Sequence, residues 1–383
     1  MTDIQIRPVD DDRDWAAFFE LPRRIYRCDA HHVAELTRVI RDELDAAKNP
    51  ITAACDRQVF IALCDGEIAG RAVAIINPLI DRVRGEPTGL VGYFECVDDA
   101  AVAGELLEAC DAWCRARGAR SLLLGVQFSL NYQTGIQTSG FDEPHTFLMP
   151  HNPSYYPELF AAAGFVVTKR LHAYRVRVSP DQPAPAAVEA RAQALRERGF
   201  RVRSMTKLEL ESCMRDYNTT WRDNYLHTPL SDAELSHLKK DMSLFVDPSF
   251  CLVAERAGEL AGYLFAFPDY NLTIRRWQGR VGLPQLARLI WRHKVRRRIP
   301  RLKTAIIGVR AAFRHQGVSD LLNATLLQRA ARRGCETIER SWILEDNLAS
   351  IRQAKRLGGE LYKTYAIFGR PVAMPRSGTR EVA

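Results

Sequence analysis

The chain has 383 residues, 46% of them hydrophobic and 26% charged, which is the make-up of a soluble globular protein of two or three domains and excludes a disordered, collagenous or multi-span membrane chain. No run approaches the roughly 18 apolar residues of a spanning helix. The start, Met1-Thr-Asp-Ile-Gln-Ile-Arg, has no apolar signal core, so a cytoplasmic protein is expected. The charge stands out: 54 Lys and Arg against 46 Asp and Glu give +8 and a pI of about 9.1, which points to an anionic partner.

In chain order, Val59 to Leu63 and Arg71 to Ile76 read as strands joined through Gly66-Glu-Ile-Ala-Gly70, a β-hairpin turning on Gly. A helix follows and ends at Arg117-Gly118, where Gly is the expected residue past a helix end. It carries Cys110 and Cys114, two of nine cysteines. With no signal peptide these read as free thiols in a reducing compartment. Gln127 to Asn152 is a long polar and aromatic stretch with Asn131, Tyr132, His145 and His151. Loops of that length are often functional, and His151 is a candidate base. Ala163-Gly164-Phe165 closes another helix, and the Pro-rich stretch 179–187 reads as an extended linker.

The plan then repeats. Gly258-Glu-Leu-Ala-Gly262 sits between strand-like Cys251 to Ala254 and Tyr263 to Phe267, a second helix ends at Arg333-Gly334, and Leu357-Gly358-Gly359 answers Ala163-Gly164-Phe165. The chain is therefore a duplication with one insertion in each copy. It divides into a first domain over 1–178, the linker 179–187, a second domain over 188–370 and a tail over 371–383. Each copy alternates helices and strands, which predicts an α/β (α+β) mixed sheet flanked by helices.

The second copy's insertion, 274–303, holds Arg275, Arg276, Arg280, Arg288, Arg292, Lys294, Arg296, Arg297, Arg298, Arg301 and Lys303 and no acidic residue. Leu283, Leu286, Ala287 and Ile290 fall at helical spacing, and Trp277 and Trp291 suit an interface. This is the composition of an amphipathic helix on an anionic membrane surface, which for a cytoplasmic protein is the inner face of the cytoplasmic membrane. A solvated basic face on its own domain is the alternative, and nucleic acid ranks lower for want of a recognised fold motif. Without this segment acidic residues slightly outnumber basic ones, so the positive charge belongs to one stretch.

Ala305 to Val309 reads as a buried strand. The turn Arg314-His315-Gln316-Gly317-Val318-Ser319 then opens a helix running to about Arg333. Backbone N–H groups at a helix start form an anion site. Gly317 permits close approach of a pyrophosphate, and Arg314 adds a fixed charge. Ser341-Trp-Ile-Leu-Glu-Asp-Asn347-Leu-Ala-Ser350, a helix to Leu357-Gly358, and Tyr362-Lys-Thr-Tyr-Ala-Ile-Phe368 follow.

This run resembles the acyl-CoA-binding core of the GNAT acyltransferase superfamily. Arg-x-x-Gly-x-small after a strand is its cofactor turn, and the strand, Asn-containing turn, helix and final strand follow at its spacing. The likeness covers nearly all of the second domain, and the first looks like a diverged second copy, so two tandem GNAT-like domains are expected. The resemblance implies acyl transfer from acyl-CoA, with no metal, to a primary amine. Arg314, His315, Gln316, Gly317, Val318, Ser319 and Asn347 would hold the cosubstrate, and Val309 would offer its backbone N–H to the thioester oxygen. A base must take the amine's proton: Glu345 is the first candidate, Asp269, in a Pro-Asp-Tyr-Asn turn, the second. Two departures stand out. Ala354 occupies the slot where many members carry the Tyr that protonates the leaving thiolate. In the first copy Asp98 and Asp99 stand at the helix start and would repel a phosphate, so that copy is expected not to bind CoA. The whole chain is also similar to tandem members of the superfamily that include bacterial ceramide synthases, which N-acylate a sphingoid base. That likeness, not residue spacing, suggests a lipid amine as acceptor. A soluble N-acetyltransferase, a transferase using an acylated tRNA and a non-catalytic lipid- or nucleic-acid-binding protein are the alternatives.

Overall fold

The computed structural model describes residues 3–222, 224–277, Gly282, Pro284, Gln285, Ala287 and 299–372. Its strands are β1 (Ile4–Pro8), β2 (Asp56–Cys64), β3 (Glu67–Ile76), β4 (Thr88–Cys96), β5 (Ser121–Leu124), β6 (Ile136–Ser139) and β7 (Val166–Arg177) in the first half. The second half contributes β8 (Phe200–Ser204), β9 (Cys251–Arg256), β10 (Glu259–Pro268), β11 (Arg301–Val309), β12 (Thr337–Leu344) and β13 (Glu360–Pro371). Both repeated hairpins turn on two residues of positive φ, Asp65-Gly66 (49° and 81°) and Ala257-Gly258 (50° and 81°). That is the type I′ geometry that matches strand twist.

All thirteen strands join one sheet in the order β1-β2-β3-β4-β5-β13-β7-β12-β11-β10-β9-β8, with β6 paired to β13. The two halves exchange their last strands. β7, from the first half, pairs antiparallel with β12, while β13, from the second, pairs antiparallel with β5. β7 and β13 pair with each other at the centre. Cutting the chain between the copies would strip each half of its closing strand. Pro371, placed by sequence in a tail, lies opposite Ser121 at the end of β13; the tail from 373 onward lies outside the described residues.

One helix per half covers the same face of the sheet. Helix Ala100–Arg115 buries Val102, Leu106, Cys110 and Cys114 against Ala62, Ala72 and Leu122. Helix Val318–Arg332 buries Val318, Leu321, Leu322 and Leu326 against Leu252, Leu264 and Leu302. Burial pushes the Cys114 thiol up to about 12, which makes it a small apolar side chain at neutral pH. All nine cysteines are free.

The first-copy insertion bridges the halves. Asn131 donates to the Thr228 carbonyl at 3.0 Å and accepts from the Tyr217 hydroxyl at 2.7 Å. The Phe147 N–H donates to Asp269 at 2.8 Å. In the basic insertion the structure corrects the sequence reading at one end. Arg301 and Lys303 belong to β11; Lys303 is buried and Arg301 pairs with buried Asp269. Neither is available to a surface. Arg275 is exposed. The helical pattern through Leu283, Leu286 and Ile290, the basic residues from Arg280 to Arg298, and Trp291 lie outside the described residues.

Candidate active site

The site begins where two parallel strands part. β11 and β12 pair only from Arg301↔Thr337 to Thr304↔Arg340, and beyond that they diverge. The gap is a cleft of about 320 Å³ lined by Thr220, Trp221, Ile307, Val309, Ser341 and Trp342 among others. Ala305, Ile306, Ile307 and Val309 are therefore half-buried, not a buried run as the sequence suggests, because the strand they form is a cleft wall.

The register of β11 decides what that wall offers. Val309 stands opposite Gly262 on β10, and the next residue, Arg310, donates its N–H to Ala261 at 3.1 Å. Backbone groups of alternate residues point to the same side of a strand. Gly308 therefore faces β10, and Val309 and Ile307 turn their N–H groups toward the open gap. The Val309 carbonyl, on that same side, meets the Arg314 guanidinium at 3.5 Å. The register thus turns the Val309 and Ile307 N–H groups to the cleft. Gly308 has its own steric reason: a Cβ there would overlap the Tyr263 ring, whose hydroxyl reaches Thr220 at 2.9 Å.

Past β11 the chain makes a short 3-10 turn at Ala311–Phe313 and enters the anion turn. Arg314 and His315 are exposed, and Gln316, Gly317 and Ser319 are half-exposed. Gly317 sits at φ 95° and ψ 10° as N-cap of helix Val318–Arg332, and among the described residues no side chain caps that end. The helix thus presents free backbone donors and its positive dipole end. A Cβ on Gly317 would meet only Leu195, at 3.5 Å, so glycine is required here by backbone conformation rather than by space. Asp320 in the first turn is the wrong charge for a phosphate site. It is buried and held by Arg191 at 3.3 Å and Arg356 at 3.2 Å, which offset it. Gln316 anchors the turn through its amide to the Ala312 carbonyl at 3.0 Å. Asn347 caps helix Leu348–Arg356 by accepting the Ser350 N–H at 3.1 Å, and both residues line the cleft. These residues fit the phosphates and pantetheine of a CoA thioester.

The three candidate bases are not brought together. Glu345 accepts the Arg170 N–H at 2.9 Å and ties β12 to β7, away from the cleft lining. Asp269 is buried, accepts the Phe147 and Asn271 N–H groups, and pairs with Arg301. Burial raises its carboxyl above the usual value against the pull of Arg301. His151 lies in the first half, its Nε2 2.7 Å from Asp29. Neither Asp269 nor His151 is among the residues that line this cleft.

Sequence reasoning missed a buried polar cluster under the cleft. Glu339 on β12 is buried and accepts the hydroxyls of Thr146, Tyr362 and Ser341; Ser341 also lines the cleft. Lys303 lies near Glu339 and Asp269, and burial brings its ammonium down to about 8. Arg340, beside Glu339, faces the opposite side of β12. Charged residues at interior strand positions were the available signal. The Ala354 slot is fully buried against Tyr174 of β7 and Ile343, so the exchanged strand occupies the space a Tyr would need.

In the first half, Asp99 caps its own helix by accepting the Ala101 and Val102 N–H groups, so a carboxylate occupies two of the donors at that helix start. β4 and β5 also part after Val91↔Leu124. Their gap is a cavity of only about 70 Å³ lined by Arg71, Glu95, His145, His151 and Tyr156 among others. His145 accepts the Val33 N–H through Nε2 at 3.2 Å and meets the Met149 carbonyl through Nδ1 at 2.7 Å. That pattern assigns the neutral Nδ1–H tautomer. Among the described residues no group of three His, Cys, Asp or Glu side chains is placed to hold a metal ion.

Residues 210–358 match the acetyltransferase (GNAT) family. The chain is 28% identical over 373 residues to a bacterial ceramide synthase of Caulobacter vibrioides, covering 96% of this chain and 97% of that one. It is 25% identical over 365 residues to protein YghO of Escherichia coli, covering 94% and 93%. Among solved structures, a tandem GNAT protein from the clavulanic acid biosynthesis pathway superposes with a TM-score of 0.60 at 14% identity, covering 97% of this chain and 99% of that one. The parted strands, the glycine-led helix start and the family match agree: the second half carries a GNAT-type domain over residues 210–358, and the whole chain shares the fold of a tandem GNAT protein.

Proposed function

We propose that the chain moves a long acyl group from acyl-CoA to the primary amine of a lipid, a sphingoid base, at an anionic membrane surface. The observation that carries the transferase reading is the combination of two outward backbone donors, Ile307 and Val309, with a helix start at Gly317 that no side chain caps among the described residues. Support for the lipid acceptor is the likeness to a bacterial ceramide synthase along 96% of the chain. The basic stretch after Ile274 supplies the attraction to an anionic surface.

The chain's own residues divide the work. The helix start and Arg314 would hold the diphosphate, and the Ile307 and Val309 N–H groups would bind pantetheine and the thioester oxygen, lowering the cost of charge on that oxygen. Among the described residues, the cleft lining holds no carboxylate or histidine. It does hold Ser341, whose hydroxyl donates to Glu339. A proton leaving the attacking amine is accepted by Ser341 Oγ as the serine passes its own to Glu339. Thr146 and Tyr362 keep Glu339 hydrogen-bonded in its buried position.

The test incubates purified protein with acyl-CoA of graded length and sphinganine, following free thiol and product mass. Thiol release matched by N-acyl product, rising with chain length, is expected. Absence of thiol release across acyl lengths and amines refutes the transferase reading. Preference for acetyl-CoA and a polar amine refutes the lipid acceptor. For the membrane, residues 278–298 are the segment to excise, because Arg301 and Lys303 are needed in β11. Unchanged binding to phosphatidylglycerol liposomes refutes that role.

A further inference from the structure

Among the described residues, Arg340 is a cation hydrogen-bonded to no carboxylate. It is 4% exposed, it lines the cleft together with Asn347 and Ser350, and two of its nitrogens bind neutral amides. One donates to Asn323 Oδ1 at 2.6 Å and the other to Gln353 Oε1 at 2.7 Å. Its Nε has no partner. Burying a charge with no carboxylate hydrogen-bonded to it is costly, and two carboxamide oxygens do not require a positive charge to be satisfied. Gln353 is the residue before Ala354, where the superfamily's thiolate-protonating Tyr is missing. The surplus cation therefore lies beside the position of the missing acid.

We propose that Arg340 stabilises the departing CoA thiolate electrostatically, in place of a proton donor. The step balances without another reactant. The amine nitrogen forms the C–N bond to the thioester carbonyl, and the C–S bond breaks with its electron pair left on sulfur beside Arg340. The amine's proton leaves through Ser341 to Glu339, and from there through solvent to the thiolate once CoA departs, giving amide and CoASH. Among the described residues, the charged and titratable groups facing Arg340 are Asp320 on helix Val318–Arg332, itself held by Arg191 and Arg356, and Tyr174 directly opposite on β7. Burial brings the guanidinium down to about 10, so it stays charged across the neutral range. Burial raises Tyr174 instead, which makes its phenol a poorer acid.

The role given to Arg340 rests on the acyl-CoA reading, and the experiment separates the two. Binding of CoASH and of desulfo-CoA, which lacks the sulfur, is measured by calorimetry from pH 6 to 9. A free thiol titrates at about 8.5. If Arg340 lowers the bound thiol by about one unit, CoASH gains roughly tenfold in affinity over desulfo-CoA as the pH rises. Arg340→Gln should lose that gain while binding desulfo-CoA as before, and Arg340→Lys should keep part of it. A flat wild-type ratio, a gain retained by Arg340→Gln, or a gain lost in Tyr174→Phe instead overturns the proposal. If Arg340→Gln fails to fold, the wild-type ratio and Arg340→Lys decide. Failure of wild type to bind either compound refutes the acyl-CoA reading along with it.

Discussion

Gly317→Glu is the sharpest perturbation of the cofactor turn. The structure gives its effect on the empty protein. A side chain has room, meeting only Leu195 at 3.5 Å, so the cost is that of a left-handed backbone, roughly 1–2 kcal/mol. A carboxylate near a helix start returns about 0.3–1 kcal/mol of that. Spread over 383 residues, an unfolding entropy of about 2 cal/mol/K per residue makes 1 kcal/mol worth only about 1 °C, so the unliganded melting temperature should fall by no more than about 2 °C. The liganded state is another matter. CoA at about a hundred times its dissociation constant stabilises by about 2.7 kcal/mol, a shift of about 3 °C. The introduced carboxylate would stand where the diphosphate belongs and abolish that shift. Melting curves with and without CoA, with far-UV circular dichroism as the fold control, read both numbers. A variant that melts normally and keeps its shift of about 3 °C refutes the placement and moves the cofactor elsewhere in the fold.

Gly308→Ala should lower stability by about 1–3 kcal/mol through overpacking, because its methyl would run into the Tyr263 ring; Tyr263→Leu in the same chain should restore most of the loss, and no recovery refutes the contact. Glu339→Gln should reduce kcat about a hundredfold or more, the usual worth of a general base, while leaving the CoA-dependent melting shift intact. Loss of both together would mean that Glu339 acts on the fold rather than on the proton. In the first half, burial raises Glu95 from 4.5 to about 7. Between those values the folded state keeps a proton that the unfolded chain has released, so this group's contribution to stability declines as pH rises through the window. Glu95→Gln cannot titrate. The wild type should lose stability relative to it from pH 5 to pH 7.5, and parallel curves refute the assignment.

The parts of this molecule legible in the sequence are those written in local chemistry. Two Gly hairpins, two helices closed by Arg-Gly, and an Arg-x-x-Gly turn after a strand each carry their own signal, and they recur in order. Gly317 is readable because only a residue tolerant of positive φ opens a helix that way. The candidate bases lie outside the cleft lining for a physical reason. Glu345 and Asp269 are near the cleft strands in sequence, but what a strand-end carboxylate does depends on its cross-strand neighbour. Here those neighbours are Arg170 on an exchanged strand and Arg301 at the start of β11. Glu339 and Arg340 are hidden by the opposite bias: adjacent charges in a sequence look like solvated surface, yet alternate sides of a central strand bury both. Arg301 and Lys303 look like part of a basic surface stretch by the same reasoning, and the pairing of β11 with β10 and β12 takes them inside.

The strand exchange ties these observations into one cause. Because β7 crosses from the first half to lie against β12, Tyr174 comes to stand opposite Arg340 and against Ala354. A Tyr at position 354 would have to share the volume already filled by Tyr174 and Ile343. The small residue there follows from the topology: the fold that ties the two halves together also excludes the superfamily's usual acid from its usual helix. Once that acid is excluded, the leaving thiolate needs another stabiliser within the cleft. Of the described cleft-lining residues, Arg314 and Arg340 carry positive charge, and Arg314 stands beside the helix start proposed for the diphosphate. Duplication thus did more than add a second lobe; it supplied the strand that fills the space beside Ala354 and faces Arg340.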